Sequence, residues 1–294
     1  VFEPGSTIKP FVALAGLEYE AISAEQKLYC PGYYQLPGVI HKYRDWKKGG
    51  HGAVDLNQAL TESCDVYFYR LAATLGIDNM YNFLKKFGFG EKSGIDLIGE
   101  KLGLLPSREW KREQKNQAWY PGETLIAGIG QGYLQVTPLQ LAKATATLAN
   151  QGKVVTPFLV DKTVRLRGER AVFNVGNDNI PLNPINVNTV IDGMINVVHG
   201  AHGTAKGINK NISYQIAGKT GTAQVMGIKQ GAKYNENNID FKFRDHALFI
   251  SFAPANDPKI AVAVVVENGG HGGSVAAPIA GQVIKQFLRD NNEN

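Results

Sequence analysis

The chain has 294 residues, 44% of them apolar and 19% charged, with a formal net charge of +5. Such a composition provides a core for a globular protein, and the absence of a basic stripe interleaved with aromatic residues argues against nucleic-acid binding. No run approaches the roughly 18 consecutive apolar residues of a membrane-spanning helix, and the mild positive charge suits anionic partners such as peptide carboxylates.

The first half of the chain is predicted to be mainly helical. A helix begins near Ser6 and continues over residues 11–21. A segment rich in Gly, Pro, Tyr and Trp then follows neither a helix period nor a strand period, which predicts an irregular insertion at about 29–55. Two more helices and a loop-rich stretch come next, over residues 56–74, 78–87 and 91–122.

The second half of the chain combines helices with a sheet. The predicted helices cover residues 137–150, 184–199 and 274–288, and the predicted strands cover residues 215–225, 246–253 and 260–267. The polar, Asn-rich segment 226–244 between the first two strands is predicted to be a mobile hairpin loop. Helices followed by an antiparallel sheet and a covering helix indicate an α+β (mixed α/β) fold, with no internal repeat and no interdomain linker.

Three short motifs occur in an order and at a spacing that indicate a chemistry. They are Ser6-x-x-Lys9, Ser63-Cys64-Asp65 and Lys219-Thr220-Gly221-Thr222. Each motif is common by chance. The ordered set, in contrast, is the one found in penicillin-binding proteins and serine β-lactamases, where it supplies a nucleophile, its base, a proton shuttle and an anion-binding strand.

The spacing within the motifs predicts how they work. Positions i and i+3 of a helix share a face, so we expect the Lys9 amine beside the Ser6 hydroxyl, as the base that activates it. The third motif begins a strand whose two threonines point to the same side. Gly221 between them is expected to keep the strand clear for a substrate backbone, and an edge strand with a cation and hydroxyls suits an extended peptide that ends in a carboxylate.

Longer stretches of the chain fit one family pattern. They are residues 3–6, 93–97, 122–124, 130–140 and 217–223. On these stretches the chain resembles the transpeptidase domain of the class B penicillin-binding proteins, and within them the rod-elongation type. The resemblance implies the fold shared by penicillin-binding proteins and serine β-lactamases, an antiparallel sheet flanked by helices, with residues 1–294 as a transpeptidase domain fragment whose N-terminal strands precede the chain.

The resemblance implies a peptidoglycan D,D-transpeptidase that cross-links stem peptides during cell elongation. Ser6 would attack the D-Ala-D-Ala carbonyl with Lys9 as base, and Ser63 would pass a proton to the departing D-alanine. The Lys-Thr-Gly-Thr motif would hold the terminal carboxylate, while the backbone N–H groups of Ser6 and Thr222 would form the oxyanion hole. β-Lactams would mimic the donor and acylate the same serine.

The resemblance also implies where the protein works and what it meets. It implies the periplasmic face of the bacterial inner membrane, stem peptides and β-lactams as ligands, and a membrane anchor. It further implies elongation-machinery partners bound through the region before Val1. Because the chain begins five residues before Ser6, we expect it to be a fragment of a longer protein.

Two other classes of function share features of this sequence. A serine β-lactamase or β-lactam sensor domain carries the same three motifs, but a lactamase needs a base for deacylation, and no glutamate motif for it is evident. A non-catalytic scaffold is the second alternative, and the intact Ser6, Lys9 and Lys219 argue against it. Residues 130–132 lack the Gly-Lys-Ser/Thr that completes a phosphate-binding loop, which excludes nucleotide binding there.

The middle motif departs from the family pattern, because Asp65 stands where many relatives have asparagine. Asparagine both donates and accepts hydrogen bonds, whereas an ionised aspartate only accepts them. We therefore expect Asp65 to pair with Lys9 or with a backbone N–H. A pair with Lys9 would favour the protonated amine and oppose its use as a base.

Cys30 and Cys64 are the only cysteines, and three interpretations of them are open. A disulfide or two unrelated buried thiols would suit an oxidising compartment. The insertion also carries Asp45 and His51, and two thiolates, an imidazole and a carboxylate make a tetrahedral zinc set. Elongation-type penicillin-binding proteins include members with a zinc site in this insertion, so the resemblance favours a structural Zn²⁺ held by Cys30, Asp45, His51 and Cys64.

Overall fold

The computed structural model describes residues 1–160, 163–164, 170–171, 178–225 and 240–290. In this part the helices are α1 (Lys9–Glu18), α2 (Leu56–Thr61), α3 (Asp65–Lys86), α4 (Arg108–Lys115), α5 (Pro121–Gly128), α6 (Pro138–Ala149), α7 (Pro184–His199) and α8 (Ala276–Asp290). The strands are β1 (Leu28–Cys30), β2 (Tyr33–Gln35), β3 (Lys42–Arg44), β4 (Gly52–Val54), β5 (Thr163–Val164), β6 (Arg170–Ala171), β7 (Ala217–Ala223), β8 (His246–Ala253) and β9 (Ile260–Val266).

The main sheet is antiparallel, in the order β7-β8-β9, and helices cover both of its faces. Successive side chains of β8 point to opposite faces, as a pleated strand requires. Leu248 and Phe252 pack into the larger core with α1, α3 and α6, whereas Phe249 packs with Ile284 of α8 on the other face. The predicted α+β architecture, with an antiparallel sheet flanked by helices, is confirmed.

Helix α1 is the central helix of the larger core. Nine of its ten residues are buried, and it contacts α3 and α7. A helix that is apolar on every side is expected to be enclosed by other elements. Its first residue, Lys9, is fully buried, so the helix holds a charged side chain in the interior just after the Ser6 turn.

The helix predicted over 56–74 is two helices, because the chain breaks at Ser63. Ser63 has a φ of 58°, a left-handed conformation that a right-handed helix cannot contain. Helix α2 therefore ends at Thr61, and Cys64 caps α3, accepting a bond from the N–H of Tyr67 at 3.5 Å. The serine of the middle motif lies in a tight turn between two helices instead of on a helix face.

The insertion is more regular than the sequence predicts. Strand β1 pairs with β4 and β2 pairs with β3, both antiparallel, within the segment predicted to be irregular. These strands have three residues each and are largely exposed. Strands of three residues are too short to show an alternation of polar and apolar residues, so the period-2 signal was absent.

Two further segments remain to be compared with the sequence prediction: one contains helices that were not predicted, and the other lies mostly outside the described residues. The stretch 91–122 contains the short polar helix α4 and the beginning of α5. The predicted mobile hairpin loop at 226–244 falls mostly on residues 226–239, which lie outside the described residues. Within the described residues, none of the helices combines the length and the apolar character that a bilayer crossing requires.

Strand β9 leaves one edge of the main sheet open. It is the last strand of the described sheet, and all seven of its residues, Ile260–Val266, are only half-buried. A flat apolar edge strand is an aggregation hazard that proteins usually cover or pair. This exposure supports the expectation that further strands complete the sheet, which stays a prediction.

Candidate active site

Ser6 lies in a 3-10 turn, Gly5–Ile8, that leads directly into α1. The turn is held by the Thr7 hydroxyl, which donates to Pro4 O at 2.7 Å, and by the Lys9 N–H, which donates to Ser6 O. Gly5 adopts a φ of 52°, which favours glycine. The serine is half-buried just before the N-terminus of the central helix, where the hydrogen-bonded turn holds its position.

The Lys9 amine forms its hydrogen bonds with residues of the middle motif. It donates to Ser63 O at 2.9 Å, to Ser63 Oγ at 3.2 Å and to Asp65 Oδ1 at 2.6 Å. An ammonium group has three donors, and these bonds use all of them. The predicted contact with Ser6 is thus replaced by contacts across 54 to 56 residues of sequence, although catalytic hydrogen bonds often form only once substrate is bound.

Asp65 makes both kinds of contact that the sequence led us to expect. One carboxylate oxygen pairs with Lys9, and the other accepts the N–H of Trp46 at 3.1 Å. Asp65 is also the first residue of α3, where the helix dipole favours a negative charge. The Trp46 indole donates to Glu62 O at 3.1 Å, so the insertion is joined to the catalytic turn on both sides of Ser63.

The third motif lies on β7, the open edge of the sheet opposite β9. Lys219 is fully buried and donates to Thr220 O at 3.1 Å. Burial, with a smaller contribution from the nearby positive charge of Lys9, holds the pKa of Lys219 well below its usual range. The Thr220 hydroxyl lies 2.7 Å from the hydroxyl of Thr204, a residue that no sequence motif pointed to.

Gly221 has a packing role that the sequence did not predict. A Cβ at this position would lie 2.7 Å from Thr7 Cγ2 and 3.0 Å from Pro4 O. The glycine therefore lets the Ser6 turn pack directly on β7, and its side faces the protein interior. The space on the Cβ side of Gly221 is thus filled by the protein itself. The expectation that Gly221 keeps the edge of β7 clear for a substrate backbone stays a prediction.

The four predicted metal ligands come together in one cluster. The ligand atoms of Cys30, Asp45, His51 and Cys64 all lie within 4.8 Å of one another. Asp45 Oδ2 lies 3.5 Å from Cys30 Sγ and 3.4 Å from Cys64 Sγ, and His51 Nδ1 lies 3.7 Å from Cys30 Sγ. Two sulfurs, one nitrogen and one oxygen around a point are the donor set of a tetrahedral zinc site.

The charges of the cluster depend on burial and on local hydrogen bonds. Burial raises the pKa of both thiols, and the Asp45 carboxylate raises that of Cys64 further. Burial also acts to raise the pKa of Asp45, but hydrogen bonds from the imidazole and from the N–H groups of Lys47 and Val66 outweigh it, so that pKa is lowered. Buried thiols beside a carboxylate ionise readily only when a cation lies between them.

The cluster also leaves a polar atom without a partner. Among the described residues, His51 Nε2 is buried and has no hydrogen-bond partner. Cys30 and Cys64 are both free thiols, so the disulfide alternative is not found. The donor set therefore fits a metal ion, and Cys64 joins the cluster to the middle motif, because it stands between Ser63 and Asp65 in the sequence.

A cavity of ≈ 770 Å³ lies beside the insertion. Aromatic and apolar side chains line it, among them Tyr43, Trp119, Tyr120 and Tyr133. Tyr43 also packs so tightly that a Cβ on Gly122 would lie 2.1 Å from its hydroxyl. Tyr43 thus packs the insertion against α5.

Glu3, three residues before the nucleophile, is a half-buried carboxyl group. Burial raises the pKa of Glu3 from 4.5 to about 7, against the opposing effect of a hydrogen bond from the Gly132 N–H. Between these two values the folded protein binds more protons than the unfolded chain. The free energy of unfolding therefore falls as the pH rises through this window, and the loss is complete above about pH 7.

We expect Glu3→Gln to remove this loss, because a neutral amide has the same shape and no charge to bury. The melting temperature of the variant relative to wild type should then rise between about pH 4 and about pH 8. Glu25→Gln, at an exposed position, is the control and should show no such trend. Parallel melting curves for Glu3→Gln and wild type across the window would contradict the assignment.

Comparison with known proteins gives the same picture over the whole chain. Residues 1–285 match the family described as the penicillin binding protein transpeptidase domain. Peptidoglycan D,D-transpeptidase MrdA of Acinetobacter baumannii is 46% identical over an alignment of 301 residues, which covers 100% of this chain and 43% of the relative. The protein of the same name from Haemophilus influenzae is 43% identical, over 98% of this chain and 44% of the relative.

Solved structures agree in fold. PBP2 of Pseudomonas aeruginosa in complex with WCK 5153 has a TM-score of 0.87 and 50% identity, covering 98% of this chain and 61% of that chain. PBP2 of Helicobacter pylori in complex with MreC has a TM-score of 0.83 and 33% identity, covering 98% of this chain and 50% of that chain. The chain spans less than half the length of the curated relatives it matches. On the family match over residues 1–285 and these identities, the chain belongs to the penicillin-binding protein transpeptidase family.

Proposed function

We propose that this chain is the catalytic part of a peptidoglycan D,D-transpeptidase of the cell-elongation type, and that β-lactams inhibit it. The observation that carries the proposal is the convergence of the three motifs. The Ser6 turn packs on β7 through Gly221, and the lysine that follows it is bonded to Ser63 and Asp65. Similarity to proteins named as peptidoglycan D,D-transpeptidases supports the choice of substrate.

The first half-reaction is acylation of the enzyme. Ser6 Oγ forms a bond to the carbonyl carbon of the penultimate D-alanine, and its proton goes to the neutral Lys9 amine, so the ammonium group paired with Asp65 must first release a proton. The peptide bond to the terminal D-alanine then breaks. The Ser63 hydroxyl, 3.2 Å from Lys9 Nζ, passes a proton to the departing amine. In the second half-reaction the amine of a neighbouring stem peptide takes the acyl group, and Ser6 regains its proton.

The open edge of β7 is where we place the donor peptide. Edge strands bind extended peptides through their backbone groups. The Thr220 and Thr222 side chains share one face of this strand, with the Thr204 hydroxyl beside that of Thr220. The threonine hydroxyls would hold the terminal carboxylate there, with the buried Lys219 amine behind them as a further donor. Thr220, Gly221 and Thr222 would thus be the substrate-binding residues.

Labelled penicillin tests the proposal. We expect a long-lived adduct on Ser6, and none in Ser6→Ala, because the acyl-enzyme needs the serine oxygen. The adduct site is read by peptide mass analysis and its lifetime by chasing with unlabelled penicillin. Rapid release of hydrolysed penicillin would point instead to a lactamase. A failure of the folded wild-type protein to form any adduct would point to a scaffold.

We further propose that the chain acts at the periplasmic face of the bacterial inner membrane, where its substrate is assembled. A membrane anchor and elongation-machinery partners would be reached through chain preceding Val1. The similarity to an H. pylori PBP2 that was solved in complex with MreC supports a partner of this kind.

We propose Zn²⁺ as the metal of the cluster, held by Cys30, Asp45, His51 and Cys64. The donor set supports this choice, since thiolates and imidazole select zinc over calcium or magnesium. The ion would supply positive charge that keeps the thiols ionised and ties the insertion to the turn between α2 and α3. Its role is structural, with four protein ligands.

A further inference from the structure

The Gly130-Gln131-Gly132 loop contacts both pieces of chain that carry the proposed oxyanion donors. Gly130 O accepts the N–H of Gly5 at 2.8 Å, next to Ser6. The Gln131 side-chain amide donates to Thr222 O at 3.1 Å, across 91 residues of sequence. One short loop thus joins the nucleophile turn to the last motif residue of β7.

The backbones at this junction touch with no room for side chains. A Cβ on Gly130 would lie 2.1 Å from Gly5 O, and a Cβ on Gly5 would lie 2.6 Å from Thr222 O. Both glycines have positive φ angles, 77° and 52°. The Ser6 turn and β7 are therefore in direct backbone contact, and Gln131 is the side chain that bridges them.

The direction of the Thr222 carbonyl gives the direction of its N–H. Thr222 pairs with Ala247 of β8, but its carbonyl faces Gln131 and Gly5, on the open edge of the sheet. In an antiparallel ladder the N–H and C=O of one residue point to the same side. The Thr222 N–H therefore also faces the open edge, where the Ser6 turn lies.

We propose that Gln131 is a positioning residue that fixes the distance between the two oxyanion donors, the N–H groups of Ser6 and Thr222. This inference rests on the proposed function. Oxyanion stabilisation requires donors at hydrogen-bond distance from the developing charge, and small displacements reduce it steeply. Without the amide, the Thr222 peptide loses the bond that holds the end of β7 against the turn.

The test uses two substitutions and a matched control. Gln131→Met removes the donor and keeps the length of the side chain. Gln131→Glu keeps the shape and puts an oxygen opposite the Thr222 carbonyl. Gln286→Met, on the exposed surface of α8, is the control. The rate constant of penicillin acylation is measured separately from the affinity of the non-covalent complex, and the infrared carbonyl stretch of the acyl-enzyme is recorded with labelled penicillin.

We expect Gln131→Met to acylate about 10-fold more slowly, a fraction of the 10²–10³ that loss of a whole oxyanion donor costs. Gln131→Glu should be slower still. The affinity of the non-covalent complex should change by less than about 2-fold, because the oxyanion donors act mainly in the transition state. The carbonyl stretch should move to higher frequency in both variants, since weaker hydrogen bonds polarise the carbonyl less.

A merely structural role would give a different result. In that case Gln131→Met would lower the melting temperature while the carbonyl stretch and the acylation rate of the folded fraction matched those of Gln286→Met, which would overturn the inference. The proposed function fails separately, since a folded wild-type protein that forms no adduct at all overturns both.

Discussion

Lys9→Met is expected to lower penicillin acylation by about 10²–10⁴-fold, the range typical of a lost general base. The amine is the only cation in contact with both Ser63 and Asp65 in the described part of the chain. It follows the nucleophile by three residues in the same turn of chain. Its removal leaves Ser6 without a proton acceptor and Ser63 without the donor that aligns it. The measurement is the second-order rate constant of acylation by labelled penicillin.

The same substitution should also destabilise the fold, which the experiment must separate from catalysis. Removing one partner of a buried ion pair costs about 3–5 kcal/mol, because the other charge stays buried. Here Asp65 keeps its bond from the Trp46 N–H and its place at a helix N-terminus, which places the cost toward the lower end. Adding Asp65→Asn to Lys9→Met removes the uncompensated charge, so it should restore stability without restoring acylation.

Lys111→Met is a matched control for this prediction. Lys111 is also almost fully buried and paired with a carboxylate, that of Glu123, but it lies outside the three motifs. Its replacement should lower the melting temperature while the folded fraction acylates at close to the wild-type rate. The role of Lys9 as base would be refuted if the folded Lys9→Met protein kept more than about a tenth of the wild-type rate.

The parts of the fold that the sequence predicted are those governed by local pattern. Strand β8 begins and ends where its apolar run does, and α6 begins at a Thr137 that caps it as a Thr-x-x-Gln box. Burial on both faces gives β8 a continuous apolar run, and burial of one side of α6 leaves a helical period. Both signals are visible in the sequence without knowledge of the packing partner. The three motifs could also be recognised in the sequence, because each consists of neighbouring residues.

The parts that the sequence did not predict depend on contacts between distant residues. Ser63 looked helical because its neighbours are good helix formers, and its left-handed conformation is stabilised only by the packing around it. Thr204 and Gln131 enter the site through single hydrogen bonds to β7. A single polar residue in a loop gives no periodic signal, so such contacts are visible only once the chain is folded.

Gly221 shows that a motif residue can have a packing role that the sequence does not reveal. The motif requires glycine, and the sequence suggested that the substrate needs the space. In the folded chain the space on its Cβ side is occupied by Thr7 and Pro4 O, so assembly of the site also requires glycine. The nucleophile turn and the substrate strand belong to opposite ends of the sequence, and their contact is what brings the three motifs together.

Removal of the proposed Zn²⁺ is expected to lower the melting temperature by about 5 to 10 °C. A ligand that binds only the folded state at 100 times its Kd stabilises that state by about 2.7 kcal/mol. For a domain of this size each kcal/mol corresponds to about 2–4 °C. The comparison is between protein stripped by a chelator and the same protein reloaded with Zn²⁺, followed by thermal unfolding and by measurement of bound metal.

Single substitutions of the proposed ligands test whether zinc binding also affects acylation at the active site. Cys64→Ser should lower both the zinc content and the rate of penicillin acylation, because the Cys64 ligand lies between Ser63 and Asp65 on one turn of chain. His51→Ala should do the same by removing the imidazole that meets Cys30 and Asp45.

His41→Ala serves as the control, since His41 is in the same insertion but outside the cluster. It should keep the metal. Unchanged zinc content in Cys64→Ser would show that the thiol is not a ligand. Loss of zinc with an unchanged acylation rate would show instead that the turn carrying Ser63 holds its geometry without the ion. In that case the bonds from Lys9 and from the Trp46 N–H to Asp65 suffice to position it.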